Sequence, residues 1–138
     1  MHGENILLLS PCTSVPLCLC GECEERMRIA IVGGGKMGQA VARLAEARGH
    51  TILTIVGGAE NQGGRALTAE RLAGADVAVE FTRPDAVVAN LERLIEAGVP
   101  AVTGTTGWLD ELPRIAALVE RRGGALLHAA NFSVGVHL

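Results

Sequence analysis

The sequence predicts an α/β fold, a doubly wound and mainly parallel sheet of about five strands with helices on both faces, on three observations. Short β-type apolar runs alternate with helix-type runs from Met27 to Ala129. The first run read as a strand, Arg28 to Val32, is a continuous apolar stretch rather than an alternating one, which suits a strand covered on both faces. Glycine occupies 18 of the 138 positions, about twice its usual share of ~7%, and it falls at the ends of these runs.

The first strand is Arg28-Ile-Ala-Ile-Val32, and it ends in glycines. A helix over 36–48 follows, with Met37, Ala40, Val41, Leu44 and Ala45 at helical spacing and Gly49 as its stop. Thr51 to Val56 is the second strand, then a Gly-rich loop over 57–64, a short helix over 68–72, and a third strand over 76–81. Thr82 and Asp85 form a T-x-x-D capping pattern with Pro84 in the first turn, ahead of an apolar stripe of Val87, Val88, Leu91, Leu94 and Ile95. Gly98 and Pro100 end that helix, and residues 101–103 form the fourth strand. A helix over 110–122 turns Leu112, Ile115, Ala116 and Val119 inward, stops at Gly123-Gly124, and leads into a fifth strand over 125–129.

A length of 138 residues with 49% hydrophobic content supports one domain with a real core. A net charge of −3 and three aromatic residues, Phe81, Trp108 and Phe132, leave neither a basic stripe nor a stacking platform for nucleic acid. No apolar run reaches the ~18 residues of a membrane helix, and the 6–20 stretch lacks the basic start of a secretory signal, so a soluble, cytoplasmic chain is expected. Residues 1–26 carry four acids against one base, whereas 27–138 balances eleven of each. All four cysteines, Cys12, Cys18, Cys20 and Cys23, fall in that leader. Without a second paired Cys or His knuckle they are read as part of a disordered Cys-containing extension over 1–26, not as a metal site.

Gly33-Gly-Gly-Lys-Met-Gly38 fits G-x-G-x-x-G and lies between the first strand and first helix, where that pattern has mechanical meaning. Gly33 allows the tight turn, Gly35 lets backbone amides approach a pyrophosphate at the positive helix end, and Gly38 lets helix and strand pack closely. Lys36, the only lysine, suits a phosphate contact. The acid expected at the end of the second strand to hold a ribose is replaced by Gly57 and Gly58; Glu60 lies late, Arg65 could meet a 2′-phosphate, and both are read as solvated loop residues. Three more segments follow strands and border the same crevice: 80–84, 104–107 and 129–133. Thr105 and Thr106, between glycines, are expected to offer exposed donors. His50, His128 and His137 have no nucleophile or metal partner at a recognisable spacing, so no catalytic residue is assigned.

Together, Arg28 to Gly38, Glu80-Phe-Thr-Arg-Pro84, Gly104-Thr-Thr-Gly-Trp108 and Ala130-Asn-Phe-Ser-Val-Gly-Val136 resemble, in order and spacing, the amino-terminal domain of the 4-hydroxy-tetrahydrodipicolinate reductase family, formerly dihydrodipicolinate reductase. The resemblance covers about 27–138 and implies a Rossmann-like NAD(P)-binding domain there. It implies NADPH or NADH as cofactor and hydride delivery to a small cyclic dicarboxylate, with loss of water, in lysine and diaminopimelate biosynthesis. Carried over by motif, Gly33, Gly35, Lys36, Met37 and Gly38 would hold the pyrophosphate, and Phe81, Thr82 and Arg83 would border the cofactor. Gly104, Thr105 and Thr106 would face the nicotinamide ribose and ring, with Thr106 also reaching substrate, while Ala129, Ala130, Asn131 and Phe132 would line the nicotinamide pocket. The family continues into a second, substrate-binding domain that carries a His-His-Arg and Lys signature and builds a homotetramer. This sequence holds no counterpart of that signature, which implies a cofactor half inactive on its own.

Two other readings stay open at this point. One is a stand-alone NAD(P)H-binding or sensing module without catalysis. The other is the cofactor domain of a different dehydrogenase, such as aspartate or homoserine dehydrogenase, against which the 104–107 and 131–133 motifs argue.

Overall fold

The computed structural model describes residues 26–130. The cysteine-containing leader therefore lies outside the described residues, as do Asn131, Phe132 and His137. Five parallel strands, β1 (Arg28–Val32), β2 (Thr51–Val56), β3 (Val77–Glu80), β4 (Ala101–Thr103) and β5 (Leu126–His128), form one sheet in the order β2-β1-β3-β4-β5. Three helices connect them: α1 (Lys36–Ala47), α2 (Val87–Glu96) and α3 (Leu112–Arg122).

The strand order dictates the layers. Right-handed crossovers that run in opposite directions across a sheet land on opposite faces. The β1-to-β2 step runs one way and carries α1 onto one face, while every later step runs the other way and carries α2, α3 and the 57–76 connection onto the opposite face. The two hydrophobic clusters follow this split. Ile29, Ile31, Ala42 and Ala45 pack under α1, whereas Val32, Ala78, Leu91, Leu94, Ile115 and Val119 belong to the larger cluster under α2 and α3. Leu91, Leu94 and Ile115 are fully buried, each contributing about 1.5–3 kcal/mol of transfer free energy. On the α1 face, Val79 and Val102 stay only half-buried.

Several local expectations are corrected. In α1 the buried face is Gly38, Ala42 and Ala45, while Met37 and Leu44 are more than half exposed. A single helix lying over β1 and β2 buries only a narrow face, so the outer half of the apparent apolar stripe meets solvent. Residues 68–72 form turns instead of a helix, and a short 3₁₀ turn over Gln62–Gly64 lies earlier in that connection. The helix expected from 110 opens as a 3₁₀ turn, Leu109–Glu111, before α3. The T-x-x-D pattern does not cap α2, which starts at Val87 without a side-chain cap. The Thr82 hydroxyl instead donates to Glu80, and Asp85 pairs with Arg83 at 3.0 Å. Among the described residues no helix is long and apolar enough to cross a membrane.

Candidate functional site

The topological switch lies between β1 and β3, the neighbouring strands whose connections depart to opposite faces, and a crevice opens beyond their carboxyl ends. The hydrogen-bond ladder extends one residue past the strands there. Gly33 N–H donates to the Val56 carbonyl at 2.9 Å, Phe81 N–H to Val32 at 2.8 Å, and Gly104 N–H to Glu80 at 3.1 Å. The loops after β1, β3 and β4 are thereby pinned side by side.

The glycine turn is shaped by space. Gly33 has φ +111°, and a Cβ there would lie 2.0 Å from the Phe81 carbonyl oxygen. A Cβ at Gly38 would lie 1.9 Å from the Gly33 carbonyl oxygen, so only glycine lets α1 start against this turn. Gly35 differs: nothing lies within 4 Å of its would-be Cβ, so the amino end of α1 stays open on that side. Gly35 caps α1 with no side-chain hydrogen bond, and no acid occupies the first turn. First-turn amides without such partners favour an anion.

Two clefts flank this turn. One, of about 680 Å³, is lined by Gly33 to Gly35, Val56, Asn61, Phe81 to Arg83 and Asn90. The other, of about 820 Å³, is lined by Gly35 to Gly38, Phe81, Thr82, Gly104, Thr105 and Ala130. Gly35, Phe81 and Thr82 border both and form the ridge between them. The structure thus brings together Gly33, Gly35, Lys36, Met37, Gly38, Phe81, Thr82, Arg83, Gly104, Thr105 and Ala130. Thr106 is exposed beside Thr105, and half-buried Ala129 donates its N–H to the Thr103 carbonyl at 3.2 Å.

The two threonines of the 104–107 segment prove unlike. Thr106 is exposed as expected, but Thr105 is buried and its hydroxyl faces inward. It donates to Glu80 Oε2 at 2.8 Å and accepts the Thr82 N–H at 2.9 Å. The reason is Glu80 itself, a fully buried carboxyl at the end of β3. It also accepts from the hydroxyls of Thr82 and Thr103, and from Asn90 Nδ2 at 3.4 Å. Asn90 in turn accepts from Asn61 Nδ2 at 2.8 Å, and Asn61 Oδ1 accepts the Ala66 N–H at 3.1 Å. A buried polar chain therefore runs from the 57–66 loop through α2 to the loops after β3 and β4.

The residue string marks Glu80 only as the opening of the 80–84 motif, with no role of its own, and marks neither Asn90 nor Asn61. Two signals could have found them: a lone acid closing an otherwise apolar strand, and an asparagine three residues after Val87 on the buried stripe of α2.

At the end of β2, Glu60 is no idle loop residue. Its carboxylate accepts the Gly57 N–H at 3.1 Å and receives both terminal nitrogens of Arg71, at 2.9 and 3.1 Å. Arg71 first, and the Gly57 amide second, hold the Glu60 carboxyl below its ordinary range. Arg65 only reaches the Glu60 carbonyl, at 3.3 Å. His50 accepts the Met27 N–H at 3.2 Å, while His128 lies buried at the end of β5 with its ring 5.6 Å from Trp108.

Compared with known proteins, residues 27–132 match the family model described as dihydrodipicolinate reductase, N-terminus. Curated relatives named 4-hydroxy-tetrahydrodipicolinate reductase are 33% identical in Christiangramia forsetii, over 81% of this chain and 45% of the relative. They are 39% identical in Streptomyces coelicolor, over 83% and 45%, and 42% identical in Beutenbergia cavernae, over 81% and 44%. The chain thus spans a little under half the length of these relatives.

Proposed function

This chain belongs to the family described as dihydrodipicolinate reductase, N-terminus, and on that premise we propose that residues 27–138 are the NAD(P)H-binding part of a 4-hydroxy-tetrahydrodipicolinate reductase. The observation that carries the reading is the crevice at the β1/β3 switch, where a glycine turn meets an uncapped helix start between two clefts that share Gly35, Phe81 and Thr82. The bound nucleotide supplies a hydride, which with one proton reduces a cyclic dicarboxylate as one water leaves.

What this chain contributes is binding and orientation. The amides opening α1 receive the pyrophosphate, with Lys36 beside them. The cleft on the Val56 and Asn61 side takes the adenosine half, and the cleft bordered by Gly104, Thr105 and Ala130 takes the nicotinamide half. Arg83 borders the adenosine-side cleft; Ala129 and, by the family motif, Asn131 and Phe132 would serve the nicotinamide half, and exposed Thr106 would reach substrate. Glu60 and Arg71 at the end of β2 offer a carboxylate suited to ribose hydroxyls and a guanidinium suited to a 2′-phosphate, so both NADH and NADPH are accepted.

Calorimetric titration of the full chain with NADPH and with NADH tests this. Dissociation constants in the range of about 1 μM to 1 mM for both are expected. A folded chain that binds neither overturns the reading.

A further inference from the structure

Glu80 is an expensive residue for its place. The positions that precede and neighbour it in the same core layer, Ala78 and Val32, are apolar and fully buried, and an apolar side chain at 80 would continue that layer. A carboxyl taken out of water is costly unless hydrogen bonds replace the lost hydration. Its partners here are three threonine hydroxyls and an asparagine amide, and none of the ion pairs among the described residues includes it. Core packing alone does not account for such an arrangement.

Its geometry does. The hydroxyls of Thr82, Thr103 and Thr105 all donate to its two oxygens, so each turns its proton toward Glu80 and presents its lone pairs elsewhere. The lone pairs then hold backbone amides. Thr105 Oγ1 accepts the Thr82 N–H at 2.9 Å, and Thr103 Oγ1 accepts the Thr105 N–H at 3.2 Å. One buried group thereby sets the orientation of two loops that line the crevice, and Trp108 Nε1 fixes the second from outside by donating to the Thr105 carbonyl at 2.8 Å.

We propose that Glu80 is a positioning residue for dinucleotide binding, locking the loops after β3 and β4 into one unit through oriented hydroxyls of Thr82, Thr103 and Thr105. The role rests on the reading of the crevice as a dinucleotide site. It gives Thr105 an inward task, leaving the exposed side of its loop to Thr106 and the backbone.

The test compares the full chain with Glu80→Gln, which keeps the shape but replaces one acceptor oxygen by a donor that the hydroxyls must turn away from. NADPH, which spans both clefts and so meets both loops, should bind at least about tenfold more weakly, whereas ADP, whose cleft is bordered by the loop after β3 but not by the loop after β4, should lose clearly less. In the ligand-free protein, hydrogen exchange at the Thr82 and Thr105 amides should accelerate at least about tenfold while Ile31 and Val79 keep their rates. Thr105→Ser, which retains the hydroxyl, should preserve NADPH binding, and Thr105→Val should not. Unchanged NADPH affinity in Glu80→Gln overturns the proposal, as does equal loss of both nucleotides in a folded variant. A wild-type chain that binds neither nucleotide overturns the dinucleotide reading and the positioning role with it. The exchange rates then decide separately whether Glu80 ties the loops together.

Discussion

The two walls of the crevice are built by opposite means. The glycine turn between β1 and α1 is held by the absence of side chains: a Cβ on Gly33 or Gly38 would sit about 2 Å from a carbonyl oxygen. The wall made by the loops after β3 and β4 is held by the presence of a buried side chain, with Glu80 drawing Thr82, Thr103 and Thr105 inward. A wall made of space fails abruptly when anything fills it. One made of several hydrogen bonds weakens in steps, because each bond contributes only about 0.5–1.5 kcal/mol net.

Gly33→Ala should therefore be the most damaging single change. It combines a φ of +111° with overlap against Phe81 backbone, which cannot swing away as a side-chain tip could. Destabilisation of about 3 kcal/mol or more is expected in urea unfolding, with no measurable nucleotide binding. A stable Gly33→Ala chain that still binds NADPH would show that the turn can shift, and would erase the contrast between the walls.

The second wall breaks more gently. Thr105→Val deletes one hydroxyl and leaves the Thr82 N–H and one lone pair of Glu80 without that partner, so a loss of about 1–3 kcal/mol is expected. Thr106→Val, on an exposed neighbour, should stay within about 0.5 kcal/mol. Equal effects of the two substitutions would mean that burial does not distinguish them.

This contrast also marks what could be read in the residue string. The glycine turn was legible because its constraint is local: three glycines at fixed spacing between a continuous apolar run and a helical one admit few arrangements. The strand–helix alternation and the family resemblance were legible for the same reason. The Glu80 network was not, since its members come from positions 61, 80, 82, 90, 103 and 105 and meet only when the sheet order is known. Thr82 followed by Asp85 looked like a cap because local chemistry favours one, yet tertiary hydrogen bonding claimed the Thr82 hydroxyl. Met37 and Leu44 fit a helical period, but that period does not say which half of the stripe faces the sheet.

The connection after β2 offers a third mode, a side-chain ion pair in water between Arg71 and Glu60. Arg71→Ala should weaken NADPH binding about tenfold, the scale of one charge-assisted contact to a 2′-phosphate, and change NADH binding by less than about threefold. Titration at about 50 mM and 300 mM salt should shrink the NADPH effect in the wild-type chain, since the pair is not buried. An equal loss for both nucleotides would mean that Arg71 acts only by holding Glu60 and the loop.

A pH-dependent effect belongs to His128, the third member of the polar row that Glu80 and Thr103 begin across β3, β4 and β5. Burial pushes its imidazole below the ordinary value of 6.5, and its Nε2 has no hydrogen-bond partner among the described residues. The folded chain therefore disfavours the proton that the unfolded chain accepts. Above about pH 6.5 both states are neutral at this residue and its contribution is constant. As pH falls below 6.5 the unfolded state takes up the proton first, so stability declines until the lower folded value is passed, by less than about 1.4 kcal/mol per pH unit. Glu60 and Asp76 titrate the opposite way about: Arg71 on Glu60, and the Arg28 amide on Asp76, lower their carboxyls from ordinary values of 4.5 and 3.8. Their stabilisation is complete above those values and fades only at lower pH. Thermal unfolding of the wild type and of His128→Leu at pH 7.5 and 5.5 isolates this histidine by difference. The wild-type Tm should fall by a few degrees more across this interval than that of His128→Leu, whereas parallel decline of the two would place the titrating group elsewhere.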